Sequence, residues 1–173
     1  MSRVTLVLGG ARSGKSRFAE KLAPLSGAKT YIATAEAFDG EMKERIAHHQ
    51  VQRGSGWTTI EAPLDLVGAL LGVESDFVLV DCVTLWLGNL MHRERDVRSE
   101  VAGLCAALRD YPATVVLVSN EVGLSIVPEN ALARRFRDEQ GFANQRLADA
   151  ADAVYFIAAG LPLALKTPAT TGT

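Results

Sequence analysis

The chain has 173 residues, 48% of them hydrophobic and 22% charged, a composition that suits a globular protein with a full core and excludes a disordered one. Eighteen Lys and Arg against 20 Asp and Glu leave a net charge of −2, so the chain as a whole is not drawn to nucleic acid or to an anionic membrane. Cys82 and Cys105 are the only cysteines, too few for a disulfide framework or a four-cysteine zinc site, and a reducing, cytoplasmic location is expected.

Val4–Leu8 is a short aliphatic run closed by Gly9-Gly10 and reads as a fully buried strand. Helical spacing follows over Ser16–Leu25 through Phe18, Ala19 and Leu22. Thr30–Thr34 is the next strand, Glu41–Gln52 the next helix, and Thr58–Ile60 a strand-like run ending at Glu61. Leu64–Gly72 reads as a helix and Phe77–Val80 as a strand ending at Asp81. A helix over Asp96–Arg109 precedes the strand Val115–Val118, which ends at Ser119-Asn120. A long helix is expected over Pro128–Asp152, with Pro128 near its start and Gly141 as a point of interruption. Val154–Ala158 is a last buried strand, and Leu161–Leu165 can return beside it after a turn at Gly160. Strands alternating with helices predict an α/β fold with a largely parallel sheet covered on both faces, closed by a C-terminal antiparallel hairpin. One domain is expected over residues 1–166, followed by a loose tail over 167–173. The longest apolar stretch, Val154–Leu165, is broken by Gly160 and Pro162 and is too short to span a bilayer. The N-terminal apolar run is too short for a signal peptide.

Gly9-Gly10-Ala11-Arg12-Ser13-Gly14-Lys15-Ser16 fits G-x-x-x-x-G-K-[ST]. Its glycines let successive N–H groups converge on a phosphate, Lys15 can reach the outer phosphates, and the Ser16 hydroxyl suits Mg²⁺. The competing reading is a glycine-rich turn without a ligand, but the motif lies between a buried strand and a helix, where a phosphate loop belongs. Asp81 at the end of its strand is the candidate second metal-side oxygen; the alternative is a cap for the following helix.

On the helix expected over Glu41–Gln52, Arg45, His49 and Arg53 are spaced by four and form one stripe if the helix reaches Arg53, with His48 about 100° away. Two cations beside an imidazole suit a polyphosphate, and a neutral imidazole can attack phosphorus. From spacing alone, His49 reads as an exposed helix residue or a plain phosphate-binding donor rather than a nucleophile.

These segments resemble the bifunctional adenosylcobinamide kinase/adenosylcobinamide-phosphate guanylyltransferase family. The resemblance rests on Gly9–Ser16, Tyr31-Ile-Ala-Thr34, Glu41-Met42 followed by Arg45-Ile46-x-x-His49-x-x-x-Arg53, and Trp57-x-Thr59-x-Glu61. It continues through Asn120-Glu121-Val122-Gly123, Ile126-Val127-Pro128, Arg135-Phe136-Arg137-Asp138 and Asn144-Gln145. The resemblance implies a P-loop NTPase-like fold in a cobalamin-pathway enzyme with two reactions: phosphorylation of the aminopropanol hydroxyl of adenosylcobinamide by ATP or GTP, then transfer of GMP from GTP to that phosphate. It also implies a guanylylated histidine at His49, the paired His48 being the other register. Nucleotide contacts are implied at Gly9, Gly10, Ala11, Arg12, Ser13, Gly14, Lys15, Ser16 and Asp81. Further contacts are implied at Glu36, Ala37, Phe38, Gln50, Val51, Gln52, Arg53 and Glu61. Mg²⁺ would sit at Ser16 and Asp81, and a small homo-oligomer, such as a trimer, is implied. Asp81 stands where relatives often carry Glu, Leu124-Ser125 replaces an expected small pair, and Leu87–Val97 is short. A plain small-molecule kinase, with His49 dispensable, and a nucleotide switch without transfer chemistry remain the rival readings of the motifs.

The other conspicuous side chains have structural readings. Trp57, after Gly54-Ser55-Gly56, is expected to anchor its loop on the core, and Trp86 to lie in the core. At least two of Arg134, Arg135 and Arg137 are expected to solvate their helix, and both cysteines to be structural.

Overall fold

The computed structural model describes residues 4–36 and 56–168. Seven strands form one sheet: β1 Val4–Gly9, β2 Lys29–Ala33, β3 Trp57–Glu61, β4 Phe77–Asp81, β5 Thr114–Asn120, β6 Ala153–Ala158 and β7 Leu161–Lys166. Their spatial order is β3-β2-β4-β5-β1-β6-β7. All neighbours pair in parallel except β6 and β7, which are antiparallel. The α/β class, the parallel sheet and the terminal hairpin are therefore as expected. The described helices are α1 Lys15–Lys21, α2 Leu66–Leu71, α3 Val83–His92, α4 Val97–Arg109 and α5 Ala131–Ala150.

The sheet is hydrophobic on both faces because its strands alternate between two cores. Leu6, Ile32, Val78, Val80, Val115 and Leu117 face one core, which they share with Leu66 and Leu70 of α2, Trp86, Leu87 and Leu90 of α3, Leu104 of α4 and Leu147 of α5. Val7, Tyr31, Leu79, Val116 and Ile157 face the other, packed by Phe18, Ala19 and Leu22 around α1. Trp57 packs edge-on against Tyr31 and Phe77, with centroids 6.3 and 5.9 Å away, and Trp86 is fully buried. Both are anchors, as expected.

Four expectations change. Helix α3 was not foreseen, because Val83–Leu87 is buried nearly all round and so shows little amphipathic contrast. The long helix starts at Ala131 rather than near Pro128, because the Asn130 side chain caps it by accepting from the N–H groups of Leu132 and Ala133. It also runs through Gly141 without a break. Helix α1 ends at Lys21, four residues before the expected Leu25. The helix expected over Glu41–Gln52 lies outside the described residues.

Candidate nucleotide site

Every parallel strand delivers its carboxyl end to the same edge of the sheet, so the loops after β1, β2, β4 and β5 meet there. After β1 the chain turns through Gly9–Gly14 and enters α1 at Lys15. Gly14 has φ 99° and Arg12 φ 54°, left-handed backbone that wraps the loop on itself. Phe18 N–H donates to Gly14 O at 3.0 Å, and Ser13 N–H to Gly10 O at 3.4 Å.

Lys15 is buried, and its ammonium donates to Gly10 O at 2.6 Å. Burial lowers its pKa, while the negative charge of the neighbouring Asp81 carboxylate opposes that shift. The lysine is thus held beside the end of β4. Ser13 Oγ is buried without a hydrogen-bond partner among the described residues, an unsatisfied polar atom within the loop that suits an anionic ligand. Ser16 and Asp81 are both partly exposed. A hydroxyl and a carboxylate suit Mg²⁺, which takes few protein ligands and fills its octahedron with water and phosphate oxygens. Among the described residues no cluster of three or more His, Cys, Asp or Glu forms a metal cage.

The edge is braced by side chains that sequence reading missed. Thr34 Oγ1 donates to Cys82 O at 2.7 Å and accepts from Cys82 N–H at 2.8 Å, tying the end of β2 to the turn after β4. Asn89 of α3 donates to the carbonyls of Thr34 and Pro63 at 2.8 and 3.0 Å. After β5, Ser119 Oγ donates to Asn144 Oδ1 at 2.7 Å, Gln140 Nε2 donates to both of these oxygens, and Asn144 Nδ2 donates to Asn120 O. Asn120 N–H donates to Thr84 Oγ1 at 2.7 Å, and Glu121 N–H to Gly9 O at 3.0 Å, so this network ends on the phosphate loop. Asn144 was noticed only as part of a family-like motif; its role depends on where α5 packs.

Cys82 also acquires its meaning from packing. It is buried beside Asp81 and Lys15, and burial, reinforced by the Asp81 charge, raises its thiol pKa to about 11. It is a neutral wall residue.

The remaining candidates are dispersed. Glu36 follows β2 and pairs with Arg93 at 3.4 Å. Glu61 is exposed at the end of the edge strand β3, with β2, β4 and β5 between it and β1. Arg134 donates to the carbonyls of Pro128 and Glu129, Arg137 pairs with Asp138, and Arg135 is exposed, so this basic group serves its own helix. Ala37, Phe38, Arg45, His48, His49, Gln50, Val51, Gln52 and Arg53 lie outside the described residues.

Comparison with known proteins agrees with this architecture. The chain is 12% identical to a KaiC-like protein from Pyrococcus horikoshii, covering 99% of this chain and 82% of that one with a TM-score of 0.55. It is 12% identical to an ATPase from a bacterial type III secretion system, covering 94% of this chain and 56% of that one with a TM-score of 0.52. These likenesses show a P-loop NTPase-like fold. In sequence, the chain is 49% identical to the bifunctional adenosylcobalamin biosynthesis protein CobP of Pseudomonas aeruginosa, over 93% of this chain and 96% of the relative. It is 43% identical to the corresponding CobU protein of Salmonella typhimurium, over 93% and 98%. The profile of one family matches residues 5–165. With that match and those relatives, the chain belongs to the cobinamide kinase/cobinamide phosphate guanyltransferase family.

Proposed function

We propose that this chain phosphorylates adenosylcobinamide with ATP or GTP and then converts the product to adenosylcobinamide-GDP with GTP. The observation that carries the reading is the buried Lys15 in a turn of left-handed backbone beside Asp81, within a chain matched by this family from residue 5 to residue 165.

In the kinase step the substrate hydroxyl attacks the γ-phosphorus and the bond to the bridging oxygen of the nucleoside diphosphate breaks. Lys15 and the N–H groups of the loop stabilise charge on the phosphate oxygens. Mg²⁺, held by Ser16 and Asp81, would supply further charge neutralisation. In the second reaction His49 attacks the α-phosphorus of GTP, forming a P–N bond as the bond to pyrophosphate breaks. An oxygen of adenosylcobinamide phosphate then attacks the same phosphorus and frees the histidine. Arg45 and Arg53, spaced with His49 in the sequence, would stabilise the transferring group. Glu36–Phe38, Gln50–Arg53 and Glu61 are assigned to nucleotide contacts in this reading. The enzyme would act in the cytoplasm as a small homo-oligomer. Among the described residues no helix is long and apolar enough to cross a membrane.

The test is intact-protein mass spectrometry after incubation with GTP and Mg²⁺, with peptide mapping at non-acidic pH to preserve a phosphoramidate. A GMP adduct on His49 is expected. An adduct on His48 moves the nucleophile by one residue, and none at all while GTP binds would leave a simple kinase.

A further inference from the structure

The strand that separates the phosphate loop from Asp81 ends in a side chain that the two reactions leave unassigned. β5 lies between β1 and β4, and its last residue, Asn120, pairs with Gly9, where the phosphate loop begins. Neighbouring strands run about 4.8 Å apart, so Asn120 borders the loop directly. Residues two apart on a strand share a face. Val116 and Val118 of β5, like Phe77 and Leu79 of β4, face the core packed by α1. Asn120 and Asp81 continue those two rows and stand on the face that carries Lys15. Asp81 pairs with Val118, which sets Asn120 one side-chain step nearer the ligand-bearing edge. A Cβ on Gly9, the partner of Asn120, would lie 3.3 Å from Lys15 Cγ. Lys15, Asp81 and Asn120 therefore share one corner of the site.

The backbone of Asn120 is held from both sides. Its N–H donates to Thr84 Oγ1 at 2.7 Å, and its carbonyl accepts from Asn144 Nδ2 at 3.0 Å. Asn144 is fixed in turn by Ser119 and Gln140, and all four of these polar side chains are buried. The carboxamide of Asn120 itself is partly exposed and forms no hydrogen bond among the described residues. A buried polar network thus fixes the position of a residue whose own side chain the fold does not use. Two N–H donors on that carboxamide are left for a ligand.

We infer that Asn120 is a catalytic residue of the kinase step, its Nδ2 donating to an oxygen of the phosphoryl group in transfer, between Lys15 and Asp81. The inference rests on the proposed kinase reaction and adds a neutral donor to it. The substrate hydroxyl oxygen bonds to the γ-phosphorus, and the bridging bond breaks with its electron pair passing to the nucleoside diphosphate. The hydroxyl proton leaves to water. Asn120 exchanges no proton; it acts by holding the phosphoryl oxygens as charge shifts among them.

The experiment compares Asn120→Ala and Asn120→Asp with the wild-type full-length protein. Calorimetric titration with ATP or ADP, each with Mg²⁺, reads binding, and initial rates of adenosylcobinamide phosphorylation by ATP read the reaction. Asn120→Ala should weaken ATP about tenfold, the loss of one hydrogen bond to a charged group. ADP lacks the contacted phosphate, so its affinity should stay within about twofold. The kcat should fall about 100-fold, a larger loss than that in ATP affinity. Asn120→Asp keeps the shape, removes the donor and adds a negative charge, so it should lose more than Asn120→Ala in both readouts. Melting temperatures should stay within about 3 °C, since the side chain bonds nothing in the fold. A lowered melting temperature with equal losses for ATP and ADP would show a structural role and overturn the inference. A kcat within about threefold of wild type in Asn120→Ala, or an Asn120→Asp protein as active as wild type, would overturn it too. Each of those results leaves the proposed function standing. A wild-type protein that phosphorylates no adenosylcobinamide would overturn that function and the inference with it.

Discussion

Gly9→Ala tests how tightly the phosphate loop is seated against the sheet. Gly9 is the last residue of β1, paired with Asn120 of β5 on one side and Ile157 of β6 on the other. A new Cβ would lie 2.5 Å from Ile157 O and 2.7 Å from Ser13 Oγ. An unstrained carbon–oxygen contact is about 3.3 Å or longer, so the backbone overlap is about 0.8 Å. The Ser13 side chain can rotate away; a carbonyl held in a parallel ladder cannot. The ladder must therefore open at its ligand-bearing end, and overpacking of this kind typically costs about 1–3 kcal/mol. Taking about 2 kcal/mol, a chain of this size should lose roughly 4–8 °C in melting temperature. Because Glu121 N–H also bonds to Gly9 O, the same displacement should weaken ATP and tripolyphosphate binding together. Calorimetric melting with titration of both ligands measures the two effects. An unchanged melting temperature with unchanged phosphate affinity would refute the reasoning.

Three other outcomes follow from the same geometry. Asn144→Leu deprives Ser119 Oγ of its acceptor and leaves Asn120 O unpaired, so denaturant titration should show a loss of about 3 kcal/mol; a loss below about 1 kcal/mol would mean that water repairs the network. Lys15→Met should abolish measurable nucleotide binding yet leave the protein at least as heat-stable, because burial already disfavours the ammonium. Loss of folding in that variant would show that the Lys15–Gly10 bond holds the loop. Finally, Cys82, with its pKa raised to about 11, should resist iodoacetamide at pH 8 in the folded protein and label readily once unfolded. The unfolded thiol ionises first, near the ordinary thiol value of 9.0, so this group contributes stability below pH 9 that fades between about pH 9 and 11. Lys15, its pKa lowered, acts in the opposite direction over the alkaline range. Comparison with Cys82→Ala isolates the thiol: an identical stability profile between pH 9 and 11 in that variant would rule out its contribution.

Local signals were enough for the elements whose chemistry is local. Val4–Leu8 followed by the glycine-lysine motif identified a strand, a phosphate loop and a helix, because backbone freedom at glycine and apolar burial act over a few residues. The aliphatic runs before Asp81 and Asn120 were equally legible, since strands buried on both faces are built mostly of apolar side chains, with the few buried polar ones, such as Ser119, hydrogen-bonded. Helix α3 was not legible, because burial on nearly every side erases the periodicity that marks a helix. Nor was the start of α5, where the Asn130 cap prevails over Pro128 as a start signal.

At the site, residue types came from the sequence and neighbours came from the fold. Lys15 and Asp81 could be named as partners in advance, but that Cys82 lies beside them depends on the turn after β4 being tied to Thr34. The network of Ser119, Gln140 and Asn144 joins residues up to 25 positions apart, and no spacing rule announces it. The abutment of Gly160 on Ser13 and Gly14 spans nearly the whole chain. It exists because the parallel order places β6 next to β1 and the hairpin then folds its turn back onto the phosphate loop. The sequence by itself determined which groups can hold phosphate and which runs must be buried, since those follow from side-chain chemistry and short-range backbone preference. Only the tertiary structure decided which distant residues brace that phosphate site and which surface lies beside it, because strand order is set by how the whole sheet packs its two faces.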